Sequence, residues 1–239
     1  MKNESWEMLE SRCHTPYSGK TDTCFVKGDS GILYPGIRVE NVSFPLTVDA
    51  VQSAVFSCLS EGDSPRTLIL PESCSSQILR YWCETYNLQC LVREQPMQEH
   101  GEEVFLTSET LTNIDRLKEL AERCVIPYSS FPVTALLRAD NGIFSGVNIE
   151  TADWQKGLCA ERVAIAKARA SGARSFPEIH VYAPQSDYVS PCGACRQVLM
   201  EHMEDGVMYL HHNDTECSRL RVSDLLPYQF KASNLGHRL

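Results

Sequence analysis

The chain runs to 239 residues, 43% hydrophobic and 22% charged, which places it among ordinary globular proteins that bury a core as one or two domains. Its 22 Lys and Arg against 31 Asp and Glu leave a formal charge of -9, and that excludes broad contact with a polyanion, which needs a basic face exchanging counterions with phosphates. No run approaches about 18 apolar residues and "MKNESWEMLESRC" at the amino terminus lacks an apolar signal region, so a cytoplasmic chain with a small-molecule partner, no nucleic acid and no membrane is expected. The 11 cysteines are scattered through apolar segments such as "TCFV" and "FSCLS" and read mainly as buried free thiols.

In chain order, a first helix is expected at "WEMLESRC" (6–13). The stretch "TPYSGKTDTCFVKGDSGILYPGIRVEN" (15–41) follows, and it aligns throughout with "IPYSSFPVTALLRADNGIFSGVNIET" (126–151). Pro16 and Pro127 are offset by 111, as are Gly31 and Gly142; one extra residue, placed at Pro35, then brings Gly36 and Gly146 to an offset of 110. The likeness continues from "SAVFSCLSEGDSPRTLILPESCSSQIL" (53–79) to the longer "VAIAKARASGARSFPEIHVYAPQSDYVSPCGACRQVL" (163–199). After a hydrophilic loop at 93–103, "FLTSETL" (105–111) echoes "RVSDLLPYQF" (221–230), which ends the first copy near residue 112. The expected organisation is therefore two domains in tandem, 1–112 and 113–239.

The second copy opens on the helix "IDRLKELAERC" (114–124). Strands "TALLRA" (134–139) and "GIFSGVNI" (142–149) are joined at "DNG", a turn of the kind that links antiparallel strands. The helix "CAERVAIAKARASG" (159–172), the buried strand "IHVYAP" (179–184) and the helix "ACRQVLMEH" (194–202) follow. This alternation predicts an α/β fold in each copy, a mixed sheet with helices on its faces.

Cys192 and Cys195 open one helix, and Cys159 and Glu161 lie in the first turn of another. Thiols at helix N-termini sit where the helix dipole favours thiolate. Three thiolates leave one position open on a tetrahedral zinc, the mark of a catalytic site. A redox Cys-x-x-Cys pair, a structural zinc with a fourth ligand such as His211, or plain core thiols are the alternatives.

"CAER" followed by "PCGACRQVL", together with "PYSSFPVTALL", "GVNIE" and "LLPYQF" in that order, resembles the zinc-dependent cytidine deaminases, the nucleoside branch whose first ligand is Cys. The resemblance implies a three-layer deaminase fold in each copy, with one Zn²⁺ per chain held by Cys159, Cys192 and Cys195. It further implies hydrolytic deamination of cytidine or 2′-deoxycytidine by a zinc-activated hydroxide, with Glu161 carrying protons between water, ring N3 and the leaving amine. Asn148 and Glu150 are implied to grip the ribose, Phe131 to face base or sugar, Ala160 to line the substrate pocket, and Arg162 to draw charge off the sulfurs. A modified cytosine nucleoside is the alternative substrate, and a zinc-stabilised binding protein the alternative role.

The first copy has lost this set. Asp49 stands for Cys159, Val51 for Glu161, Glu72 for Cys192, Ser75 for Cys195, Lys20 for Phe131 and Arg38 for Asn148, so it is expected to be catalytically silent. Yet it keeps "ENVSFPLTV", close to the family's segment that enters a neighbour's site, where the second copy reads "ETADWQKGL". Ser43 and Phe44 are therefore expected to help close the second copy's site, in a homodimer that reproduces a fourfold packing.

Overall fold

The computed structural model describes residues 5–72, 77–95 and 114–235. Ser5 caps α1 (Trp6–Glu10) by accepting from the Met8 N–H, and the helix then stops short of the Cys13 expected from sequence. Strands β1 (Thr23–Gly28) and β2 (Leu33–Ile37) form a hairpin, and α2 (Ala50–Ser60) is capped by the Asp49 side chain. The first half continues through β3 (Pro65–Leu70), α3 (Gln77–Tyr86) and β4 (Gln89–Val92). The second half repeats the series as α4 (Ile114–Ala121), β5 (Thr134–Ala139), β6 (Gly142–Val147), α5 (Ala160–Ala170), β7 (Glu178–Tyr182), α6 (Gly193–Met203) and β8 (Val207–His211). It then adds β9 (Cys217–Arg221).

The two sheets share one topology. Their orders are β2-β1-β3-β4 and β6-β5-β7-β8-β9, each with two antiparallel pairings and then a parallel one, and β9 closes the second sheet. The expected counterpart of the C-terminal motif at 105–111, the boundary near 112 and Ser75 lie outside the described residues.

Register corrects one detail of the alignment. Lys27 pairs with Leu33 as Arg138 pairs with Ile143, and Phe25 with Pro35 as Leu136 with Ser145, so the 110 offset already holds at Leu33. The extra residue therefore lies in the turn between β1 and β2, not at Pro35. A turn absorbs a residue without disturbing side-chain faces, whereas inside a strand it would force a bulge.

Helices α2 and α5 lie between the sheets and pack on each other, while α1 and α4 pack on their own sheets. One hydrophobic cluster runs through both halves, from Trp6, Phe56 and Trp82 to Val163, Ala166 and Tyr182; a second fills the other half and takes in Leu46 from the first. Among the described residues, no helix is long and apolar enough to cross a membrane.

Candidate metal centre

Two helix starts build the centre. Cys159 is the N-cap of α5 and Cys192 the N-cap of α6, both with extended backbone, so each thiol stands at the rim of a helix N-terminus. Cys195 lies in the first turn of α6, and its N–H donates to Cys192 Sγ at 3.4 Å. Gly146 on β6 lets α5 approach: a Cβ there would meet the Ala160 carbonyl at 2.1 Å.

The three sulfurs lie within 4.8 Å of one another, and Cys159 Sγ and Cys192 Sγ are 3.6 Å apart. Sulfurs bound to a tetrahedral zinc at about 2.3 Å stand about 3.8 Å from each other, so the donor set fits that ion. Hydrogen bonds from Cys159 and Cys195 hold Cys192 well below the ordinary thiol range, and the negative sulfur so formed pushes Cys159 up to about 12 and Cys195 upward as well. A cation that binds all three relieves this competition for one charge.

Glu161 is 3% exposed, and its Oε2 is buried with no hydrogen-bond partner. Burial pushes its carboxyl up to about 7. An unpaired buried acceptor costs on the order of 1–3 kcal/mol, a burden that a purely structural carboxylate has no reason to carry. Ala160 beside it is fully buried.

Asn148 and Glu150 flank the buried Ile149, which bridges Val125 and Leu158 just past the end of β6. Both side chains turn to the 128–133 loop. Asn148 accepts from Val133 N at 2.9 Å and donates to Phe131 O at 2.8 Å; Glu150 Oε2 accepts from Tyr128 N at 2.9 Å and Ser129 N at 3.1 Å. The loop presents Phe131, 37% exposed and outside the core.

Arg162 reaches the first half. Its Nη2 donates to the Leu46 carbonyl of the first half at 3.0 Å, its Nε is buried without a partner, and no described hydrogen bond joins it to a sulfur. The reach has a counterpart: Gln52, at the position equivalent to Arg162, donates to the Lys156 carbonyl at 2.6 Å, and Lys156 is equivalent to Leu46. The halves thus clasp each other about a pseudo-twofold axis.

The segment holding Ser43 and Phe44 is pinned at both ends by the second half. Glu201 on α6 accepts from Val42 N at 2.7 Å and from Tyr17 Oη at 2.7 Å, and Arg162 holds Leu46. Between the pins Phe44 is 83% exposed. Sequence reasoning missed Glu201, which lies outside the quoted motifs, and the role of Tyr17, which lies in the repeated Pro-Tyr-Ser stretch but meets Glu201 only in three dimensions.

In the first half the equivalent positions are closed. Asp49, its carboxyl raised by burial, accepts from Gln52 N and from the indole of the buried Trp82, and Val51 occupies the place of Glu161. Glu72 is exposed.

Comparison with known proteins agrees with this geometry. The profile of the cytidine and deoxycytidylate deaminase zinc-binding region matches residues 108–211. The chain is 40% identical over 122 residues to a cytidine deaminase of Sporosarcina psychrophila, covering 50% of this chain and 90% of that one. It is 40% identical over 117 residues to the cytidine deaminase of Halalkalibacterium halodurans, covering 48% and 89%. A crystal structure of cytidine deaminase from Burkholderia pseudomallei matches 49% of this chain and 95% of its own at 36% identity, with a TM-score of 0.46. Nearly whole relatives are thus matched by half of this chain at such identity, and the chain belongs to the zinc-dependent cytidine deaminase family.

Proposed function

We propose that residues 113–239 hydrolyse cytidine and 2′-deoxycytidine to the uridines and ammonia, and that residues 1–112 form a catalytically silent partner. The buried Glu161 carboxyl, with Oε2 left without a partner beside three clustered thiols, carries this reading. Cys159, Cys192 and Cys195 would hold Zn²⁺, which when bound would supply a water acidified toward neutrality. Glu161 takes the proton of the water that attacks C4 and passes it to N3. It then relays the second proton to the amine, which leaves as ammonia when the C4–N bond breaks.

The 128–133 loop receives the nucleoside. Glu150 is oriented by the Tyr128 and Ser129 N–H groups on Oε2 and by the Ser129 side chain, and accepts from a ribose hydroxyl as a further donor; Asn148 keeps a second amide hydrogen for its neighbour, and Phe131 packs against base or sugar. Ser43 and Phe44 close the pocket from the first half. Two such chains pair as a homodimer with two working sites, and the charge of -9 leaves a free nucleoside, not a polynucleotide, as the substrate.

The test is ultraviolet absorbance with cytidine, deoxycytidine and cytidine monophosphate, beside zinc analysis and sizing by light scattering. One zinc per chain and loss of the cytosine band on the nucleosides are expected, and Glu161→Gln keeps the zinc while losing about 10²–10⁴ in rate. Full zinc with no turnover on these substrates would turn the search to modified cytosine nucleosides. Two zincs per chain would overturn the silent first half.

A further inference from the structure

Outside the metal centre, one other pair of described sulfurs lies within bonding reach. Cys83 Sγ, near the end of α3, is 2.7 Å from Cys90 Sγ, the second residue of β4. The connection between them is already built as a tight turn. Leu88 N donates to Cys83 O at 3.0 Å, Leu88 is buried, and Asn87 takes the left-handed conformation at φ 50° that such a reversal requires. No third metal-ligating group joins the two thiols among the described residues, so the pair is not a cation site.

The two thiols also differ in access. Cys90 is exposed, while Cys83 is half-buried and pushed up to about 12 by burial and by the neighbouring sulfur. An external reagent therefore meets Cys90 first, with Cys83 behind it in position to resolve the product.

We propose that Cys83 and Cys90 are a redox modification site that closes to a reversible disulfide by exchange with a low-molecular-weight disulfide such as oxidised glutathione. The Cys90 thiolate attacks one sulfur of the small disulfide; an S–S bond forms to the protein and one small thiolate leaves. Cys83 then gives its proton to solvent and attacks Cys90 Sγ, forming the internal bond and expelling the second small thiolate. Two electrons pass from the protein to the small disulfide. The bond clamps α3 to β4 directly after Trp82, whose indole holds Asp49 at the start of α2. The site does not depend on the deaminase reading.

The experiment uses the zinc-loaded full chain incubated with oxidised glutathione, alkylated and mapped by mass spectrometry, with melting followed in parallel. The expected product is a Cys83–Cys90 link lighter by two hydrogens, with a melting temperature raised by roughly 5 °C and restored by dithiothreitol. Cys83→Ser should instead trap glutathione on Cys90 and show no rise. Wild-type chain in which both cysteines are alkylated after treatment, or in which Cys90 stays capped by glutathione, overturns the proposal.

Discussion

At the scale of single residues, the paired glycines Gly36 and Gly146 separate what the metal centre needs from what the fold needs. A Cβ on either would meet a helix carbonyl at 2.1 Å, that of Ala50 or of Ala160. Backbone at that distance has to move, at a cost of roughly 1–3 kcal/mol or more. Gly146→Ala displaces the start of α5, where Cys159 and Glu161 sit, so melting and zinc content should fall together. Gly36→Ala displaces α2, which carries no thiol at its start, and should lower melting with zinc retained. Zinc analysis and calorimetry on both variants check this, and equal zinc loss in both would mean that the centre is reached only through global stability. The clustering of Cys159, Cys192 and Cys195 is legible in the sequence because they lie in local motifs at helix starts, where spacing fixes geometry. Arg162 was legible as a residue but not as a contact, because a long side chain finds its partner in three dimensions and here reaches Leu46.

At the scale of elements, α5 and α2 form the middle layer, and the repeated series of helices and strands was legible because each element keeps its own periodicity. The position of the extra residue was not, since glycines on both sides of the β1–β2 turn let an alignment slide. Nor does any pattern reveal the polar core between these helices. Lys167 on α5 is 4% exposed, donates to Ser145 O at 2.9 Å and pairs with Glu61 just past the end of α2, which also accepts from Arg123 at 3.2 Å. A lysine in an alanine-rich helix reads as a solvent-facing charge until the second layer covers it. Glu61→Ala leaves that ammonium buried with backbone and hydroxyl oxygens alone, and should cost about 3–5 kcal/mol in chemical denaturation. Glu61→Ala with Lys167→Met removes both charges and should recover most of the loss. A double variant no more stable than Glu61→Ala would show that Glu61 acts through Arg123 and not through Lys167.

At the scale of the molecule, the contacts recur in pairs. Arg12 reaches the Ala170 carbonyl at the end of α5, and Arg123, its equivalent one copy later, reaches Glu61 at the end of α2. The metal site breaks this symmetry: among the described residues only the second half carries the three-thiol cluster, and the first half's 42–46 strap is held by the second half, by Glu201 at Val42 and by Arg162 at Leu46. If the strap serves the nucleoside pocket, releasing one end should weaken substrate binding without touching the metal. Glu201→Ala removes the acceptor for Val42 N and for Tyr17 Oη, and should raise KM for cytidine roughly tenfold, the equivalent of about 1.4 kcal/mol, with zinc content unchanged. Phe44→Ala should act in the same direction, because the ring at the apex is what the strap presents. Combining the two should add little to either alone, since both remove one closed arrangement. Additive losses would mean that Glu201 and Phe44 act separately. Unchanged kinetics in both single variants would reduce the strap to packing, and would leave the N-terminal half a scaffold instead of a wall of the active site.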